Sequence, residues 1–416
     1  MFQRAKTFVR NHWKKAVIGG IAVQVAAYGV RYASEKFLCY QEEQAVQYWH
    51  KVKKQQYFEN VDQNCITTFR QLFQVMKSKI GEVLNAEDIQ DQLKSNQIQN
   101  KLKAWDELKV IAFTRVLVTI YGSSILYVFL RIQLSMIGGY LIKGSGSSDN
   151  NGSSSFDSSH SSSRGASNLN NHHSSTRIMD EEAQRKYLDL SHYFVSYGIV
   201  KICEYVQAKV KNVIDSVSLK QAISASDLEQ LFWTIIRKTD NPSENEDYDN
   251  DVGSRNDSTA AQATAPQLID NPMKSPWKYV FPPEVVLNPE FFNENVDADP
   301  IETSNLYRKL VCETFDLLES DDTRDILRFF ESQGVSYFID RISDSMNEHV
   351  ATSSTSATST EDTTPTFNEP RVAVAKLIPT MTSLHLIDVL DDPWIHLLTS
   401  ADNVRIMSAN IYEAFC

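Results

Sequence analysis

Cysteine is scarce and scattered. The five residues, Cys39, Cys65, Cys203, Cys312 and Cys416, are odd in number and lie far apart, with no C-x-x-C pair. That excludes a dense disulfide framework and reads as free, mostly buried thiols in a reducing compartment. Basic residues are also in deficit: 41 Lys and Arg against 53 Asp and Glu leave a net charge of -12. A nucleic-acid binder needs a basic footprint, so that class is excluded. Half of the acidic excess sits in residues 240–257, where seven carboxylates face the single Arg255. This stretch reads as a solvated linker.

Signature motifs are missing too. The chain has no G-x-G-x-x-G, no G-x-x-x-x-G-K-[ST], no H-E-x-x-H and no G-x-S-x-G. Its nine histidines do not pair with cysteine at metal-ligand spacing. His192, His385 and His396 stand alone in apolar segments, where a packed structural histidine is expected. Asp321-Asp322 and Asp391-Asp392 precede apolar runs and read as helix caps. The sequence therefore assigns no catalytic residue, metal ligand, cofactor or small-molecule substrate. A membrane-anchored enzyme of unrecognised class stays open as the alternative to a binding protein.

What is present begins with a membrane signal. Residues 1–15 carry Arg4, Lys6, Arg10, Lys14 and Lys15 without an acid, and Ala16–Val30 is apolar except for Gln24. Trp13, Tyr28 and Tyr32 flank it, as aromatics do at a bilayer interface. Trp13 to Ala33 as a helix covers about 31 Å, close to the thickness of a hydrocarbon core. A permanent anchor over 16–33 is the favoured reading, with Ala16, Ile18, Ile21, Val23, Val25 and Val30 in lipid. A cleaved signal peptide and a mitochondrial presequence are its rivals. Basic residues lie on both sides, so charge does not orient the segment.

The rest reads as a helical domain, 34–416, interrupted by polar insertions at 143–176, 240–272 and 350–368. Apolar residues at 3/4 spacing predict helices over Asp62–Leu84 (Ile66, Phe69, Leu72, Phe73, Met76) and Glu181–Val213. Further helices are predicted over Glu35–Phe58, Tyr307–Leu318, Ile326–Ile342, Ala373–Leu390 and Ala401–Phe415. Ser224 to Asp227 looks like a cap before Leu228. The prolines of 272–300 predict extended chain. No run alternates as strands do. Val110–Ile142 is the most apolar stretch, yet Arg115 and Arg131 bracket a charge-free run of only about 22 Å as a helix. A second span would place an arginine in hydrocarbon. The buried centre of a bundle is the favoured reading, with Gly138-Gly139 near the helix end.

Lys101, Trp105, Leu108 and Ala112 share one helical face. The indole reads either as core or as an anchor for a partner helix, and periodicity leaves both open. Here the sequence resembles the peroxin three family. The likeness runs through Asn100-Lys-Leu-Lys-Ala-Trp-Asp-Glu-Leu-Lys109, Val110–Arg115, Leu130–Leu134 and Ile137–Tyr140. It continues through Tyr57–Asn60 with Cys65, Val217–Lys220, Asp227–Gln230, Ala375–Pro379 and Ala409–Phe415.

The resemblance implies an all-α, elongated helical bundle around one long buried helix, preceded by a single N-terminal transmembrane helix. It implies a single pass in the peroxisomal membrane, with the N-terminus in the matrix and the main domain in the cytosol. The function it implies is docking of peroxin nineteen, the import receptor for peroxisomal membrane proteins, through an amphipathic helix laid in a groove. Trp105 and Lys101 match groove positions of the family, Leu93 and Leu108 match apolar wall positions, and Val374 and Lys376 match the segment closing the other side. A one-residue insertion lies between Leu93 and Asn100.

Overall fold

No proline occurs before Pro242, so nothing in the first half of the chain forbids a continuous helical hydrogen-bond ladder. The structure, a computed structural model, describes the backbone of residues 2–96, 99–146, 181–240, 271–288, 302–354, 370–383 and 391–416. Within these segments it describes the side chains of Tyr28 and of residues from 31 onward, except 144–146, 240, 302–305 and 349–354. The polar insertions fall largely outside these residues, as do the anchor side chains Ala16 to Val25 and Val30.

Helices α1 (Phe2–Val83), α2 (Ala86–Lys94) and α3 (Lys101–Gly146) come first. Helix α4 (Glu181–Tyr193) passes through a π-helical turn, Phe194–Gly198, into α5 (Ile199–Ile214). Strand β1 (Ala222–Ile223) and α6 (Ala225–Asp240) follow, then α7 (Trp277–Val280), α8 (Pro283–Val286), α9 (Glu302–Glu319) and α10 (Asp321–Ser354). Strand β2 (Val372–Ala373), α11 (Val374–Ser383), α12 (Pro393–Ser400) and α13 (Asp402–Phe415) complete the chain. The two short strands pair antiparallel, Ala222 with Ala373 and Ile223 with Val372.

The chain divides into two compact units, Met1–Asn60 and Val61–Cys416. In the first, residues 16–33 are helical, and all the described residues through Lys51 are exposed. The second is the bundle. Its centre is α3, whose residues from Leu108 to Tyr121 and from Ile125 to Gln133 are buried on every side. Helices α5, α10, α11 and α13 pack around it. Among the described residues, Lys101–Lys143 is the one helix long and apolar enough to cross a membrane, but 78% of its apolar window is buried inside the protein. The core reading of this segment therefore holds.

The two arginines that argued against a span fix α3 to its neighbours. Arg115 donates to the carbonyls of Leu84 and Thr382, both at 2.8 Å, and forks onto the Glu87 carboxylate at 2.9 and 2.6 Å. Arg131 pairs with the buried Asp62 of α1 and donates to the Tyr127 hydroxyl at 2.9 Å. Tyr127 in turn donates to the Thr399 carbonyl. Removing one partner of such a pair leaves an uncompensated buried charge.

Several boundaries differ from expectation. The helices expected over Glu35–Phe58 and Asp62–Leu84 are parts of the single α1. Gly138 and Gly139 lie near the end of α3, as expected, and the helix runs on to Gly146. A Cβ on Gly139 would stand 2.8 Å from the Phe415 Cβ and 2.9 Å from the Tyr412 carbonyl oxygen, so the glycine lets α13 approach closely. Gly198 faces the Tyr279 carbonyl in the same way, and the π-helical turn lies where α7 presses on α4 and α5. The described part of the proline-rich stretch forms two short helices, α7 and α8, where extended chain was expected; Pro276 and Pro282 are their N-caps and Pro283 is the first residue of α8, positions that need no N–H. Helix α2 was not anticipated, whereas α12 starts at the Asp392 cap that the sequence suggested. His192 and His396 are exposed rather than packed, and His385 lies outside the described residues.

Candidate docking site

The first two turns of α3 differ in kind from the rest of it. Asn100 caps them, its side-chain oxygen accepting the Lys103 N–H at 3.1 Å. Before it, α2 is capped by Asn85, which accepts the Asp88 N–H at 3.1 Å, and carries Glu87 and Asp88 in its first turn and Lys94 in its last. Asn96 follows at φ 59°, the left-handed conformation that stops a helix. Helix α2 therefore folds back along the start of α3, and the two pack together. Gln90 of α2 bonds to Thr382 of α11, and Arg115 ties α2, α3 and α11 at the far end.

On this frame Trp105 is half-buried. It packs against the core and stays partly accessible. Its indole N–H has no hydrogen-bond partner among the described residues. Lys101 and Lys376 are exposed, and neither has an ion-pair partner among the described residues. Leu93, at the end of α2, is half-buried against the same core. Leu108 and Val374, expected as wall residues, are fully buried. Both belong to the core cluster and offer no surface.

Two residues that sequence reasoning passed over belong here. Leu102 is 68% exposed although apolar, and it lies three residues before Trp105 on the same face. That spacing was the available signal. Lys109, by contrast, reads as a surface lysine yet is buried, with no sequence pattern to announce it.

An open cleft of about 430 Å³ lies beside the strand pair, lined by Gln221, Ile223, Asp227, Leu231, Thr234 and Arg371 among others. Trp105 is not in its lining, so it is distinct from the indole face. Ser224 and Asp227 form a reciprocal cap of α6: the Ser224 N–H donates to the carboxylate at 3.0 Å and the Asp227 N–H to the Ser224 hydroxyl at 3.2 Å. The Ser224 backbone N–H, helped by its hydroxyl and by Arg371, holds the Asp227 carboxyl below its ordinary range. Asp392 likewise caps α12, accepting the Trp394 N–H at 2.9 Å. Among the described residues, no group of three or more His, Cys, Asp or Glu side chains is arranged to hold a metal ion.

These features define an all-helical scaffold protein: a bundle closed around one apolar helix, with an indole and a leucine left partly open where that helix begins. A sequence model of the Peroxin-3 family matches residues 94–414, and the chain belongs to that family. It is 25% identical over 422 residues to peroxisomal biogenesis factor 3 of Cricetulus longicaudatus, covering all of this chain and 98% of the relative. The corresponding human protein is 25% identical over 419 residues, with the same coverage. Peroxisome biogenesis protein 3-2 of Arabidopsis thaliana is 21% identical over 174 residues, 41% of this chain and 43% of the relative. Membership carries a role in peroxisome biogenesis and membrane-protein import, at the peroxisomal membrane.

Proposed function

We propose that this protein is a docking receptor that holds peroxin nineteen at the peroxisomal membrane while membrane proteins are delivered. The role is binding, not catalysis. One observation carries this reading: the end of a helix that is otherwise core exposes Leu102 and leaves Trp105 partly accessible, with Lys101 beside them and Lys376 on α11, neither ion-paired among the described residues. An apolar anchor rimmed by cations suits an amphipathic helix that brings apolar residues to the indole and carboxylates or carbonyls to the rim. Residues 16–33 supply the anchor, the N-terminus lies in the matrix, and 34–416 lies in the cytosol. The helical backbone of 16–33 and the apolar composition of that stretch support the anchor; the orientation follows the family resemblance.

Titration of the purified protein with peroxin nineteen tests the reading. Saturable binding is expected, and reversing the rim as Lys101→Glu with Lys376→Glu should slow association and flatten its salt dependence. No saturable binding, or a rim reversal without effect on rate, contradicts it. A fluorescent fusion carrying residues 1–45 is expected at peroxisomes; a diffuse or secreted fusion refutes the anchor.

A further inference from the structure

Lys109 is a charge where the fold offers little reason for one. Its side chain is 2% exposed, and burying an ammonium is costly unless bonds replace the lost water. A leucine or methionine would fill the same space without that cost. Two bonds hold the ammonium. Asp106, one residue after Trp105 and 47% exposed, lies at 3.2 Å. The Val217 carbonyl accepts from it at 2.6 Å. The second bond reaches out of α3 into the turn that follows α5.

That turn has a further task. Its Leu219 carbonyl accepts the Ala375 N–H and its Gln221 carbonyl the Val374 N–H, both at 3.0 Å. These are first-turn donors of α11, which would otherwise have no intrahelical partner. The next residues, Ala222 and Ile223, pair with Ala373 and Val372. The turn therefore sets where α11 begins, and Lys376 is the third residue of α11. A continuous chain of bonds runs from Asp106, beside the indole, through Lys109 and Val217 to the turn that caps Lys376's helix.

We infer that Lys109 is a positioning residue of the docking site: it fixes the spacing between the Trp105 face of α3 and the Lys376 end of α11. The inference rests on the docking reading above. A charged, main-chain-directed bond fixes distance and register better than apolar packing would, because it is short and directional. The lysine is thereby a device for holding two separately encoded walls at one separation.

The test uses the full chain and purified peroxin nineteen. Lys109→Met is expected to weaken binding about tenfold, as the loss of a buried charged hydrogen bond would. Amide exchange at Val374 and Ala375 should quicken, while the amides of Met407 and Ile411 in α13 keep their protection. Lys109→Arg, which restores a charged donor, should recover most of the affinity. Adding Lys376→Ala to Lys109→Met should cost less than Lys376→Ala costs the wild type, since the second wall is already displaced. Unchanged exchange at the two amides, or full additivity, overturns the inference. If Lys109→Met fails to fold, Lys109→Gln serves: its shorter amide cannot reproduce the charged bond to the Val217 carbonyl, and unchanged exchange at Val374 and Ala375 again overturns the proposal. If Trp105→Ala loses binding while Lys109→Met keeps it, the docking reading stands and this inference alone falls. If Trp105→Ala binds normally, the docking reading fails and this inference falls with it.

Discussion

Two stretches of α3, the interior from Val110 to Ile137 and the opening turns from Lys101 to Trp105, share one helix and have opposite surroundings. In the interior, most polar side chains find partners inside the protein; the Gln133 Oε1 is an exception, buried without a hydrogen-bond partner among the described residues. Thr114, Thr119, Ser123 and Ser124 each donate to the carbonyl four residues earlier at 2.6–2.7 Å. Ser135 meets Ser408 at 2.7 Å, Trp394 donates to Ser123 at 3.0 Å, and both arginines are bonded. In the opening turns, Lys101, Lys103 and the Trp105 N–H have no such partners among the described residues, and Leu102 meets solvent. The interior uses most of its bonding capacity within the fold. Spare bonding capacity and open apolar surface coincide at one end, and that coincidence is the basis of the proposed docking site.

The largest effect is expected where a buried pair is broken. Asp62→Ala strands the Arg131 charge, and chemical denaturation should show a loss of about 3–5 kcal/mol; a neutral result would mean that the interior is not sealed. Leu126→Ala, at a fully buried position, should cost about 2–5 kcal/mol through transfer and cavity terms. Leu102→Ala should stay within about 0.5 kcal/mol by the same measurement while weakening peroxin nineteen binding. Equal stability losses at positions 102 and 126 would erase the contrast between the two stretches.

The smallest effect concerns the thiols. Burial pushes Cys65 and Cys203 up to about 12, so they stay protonated where the unfolded chain's thiols ionise. Their contribution to stability is complete below the unfolded thiol range of about pH 8.5 and is lost as pH rises toward the folded values. Denaturation midpoints at pH 8 and pH 10.5 should show the decline. Cys39 is exposed and should react with a thiol reagent at native pH, whereas Cys65 and Cys203 should not.

The helical class and the buried α3 were legible because they follow from composition and from hydrophobic patterning; periodicity placed Trp105 on a face with Lys101 and Leu108 but did not say whether that face was open. Arg115 and Arg131 even signalled that α3 could not comfortably lie in lipid. Burial of Leu108 and Val374 was not legible: apolar residues one turn apart look alike, and only tertiary packing decides which faces a neighbour and which faces water. Helix α2 was hidden because its stretch is nearly all polar, and α7 and α8 because prolines that open short helices look like prolines that forbid them. Lys109 shows the limit most plainly, since its partner, the Val217 carbonyl, is a main-chain group 108 residues away.

The most direct test is Trp105→Ala, with receptor affinity and unfolding free energy measured on the same full-length protein. Truncating a central anchor should weaken peroxin nineteen binding by about thirtyfold or more, at least about 2 kcal/mol, with the fold retained by circular dichroism. Unchanged affinity, or a chain that no longer folds, would show that the indole serves the core and that no partner docks upon it.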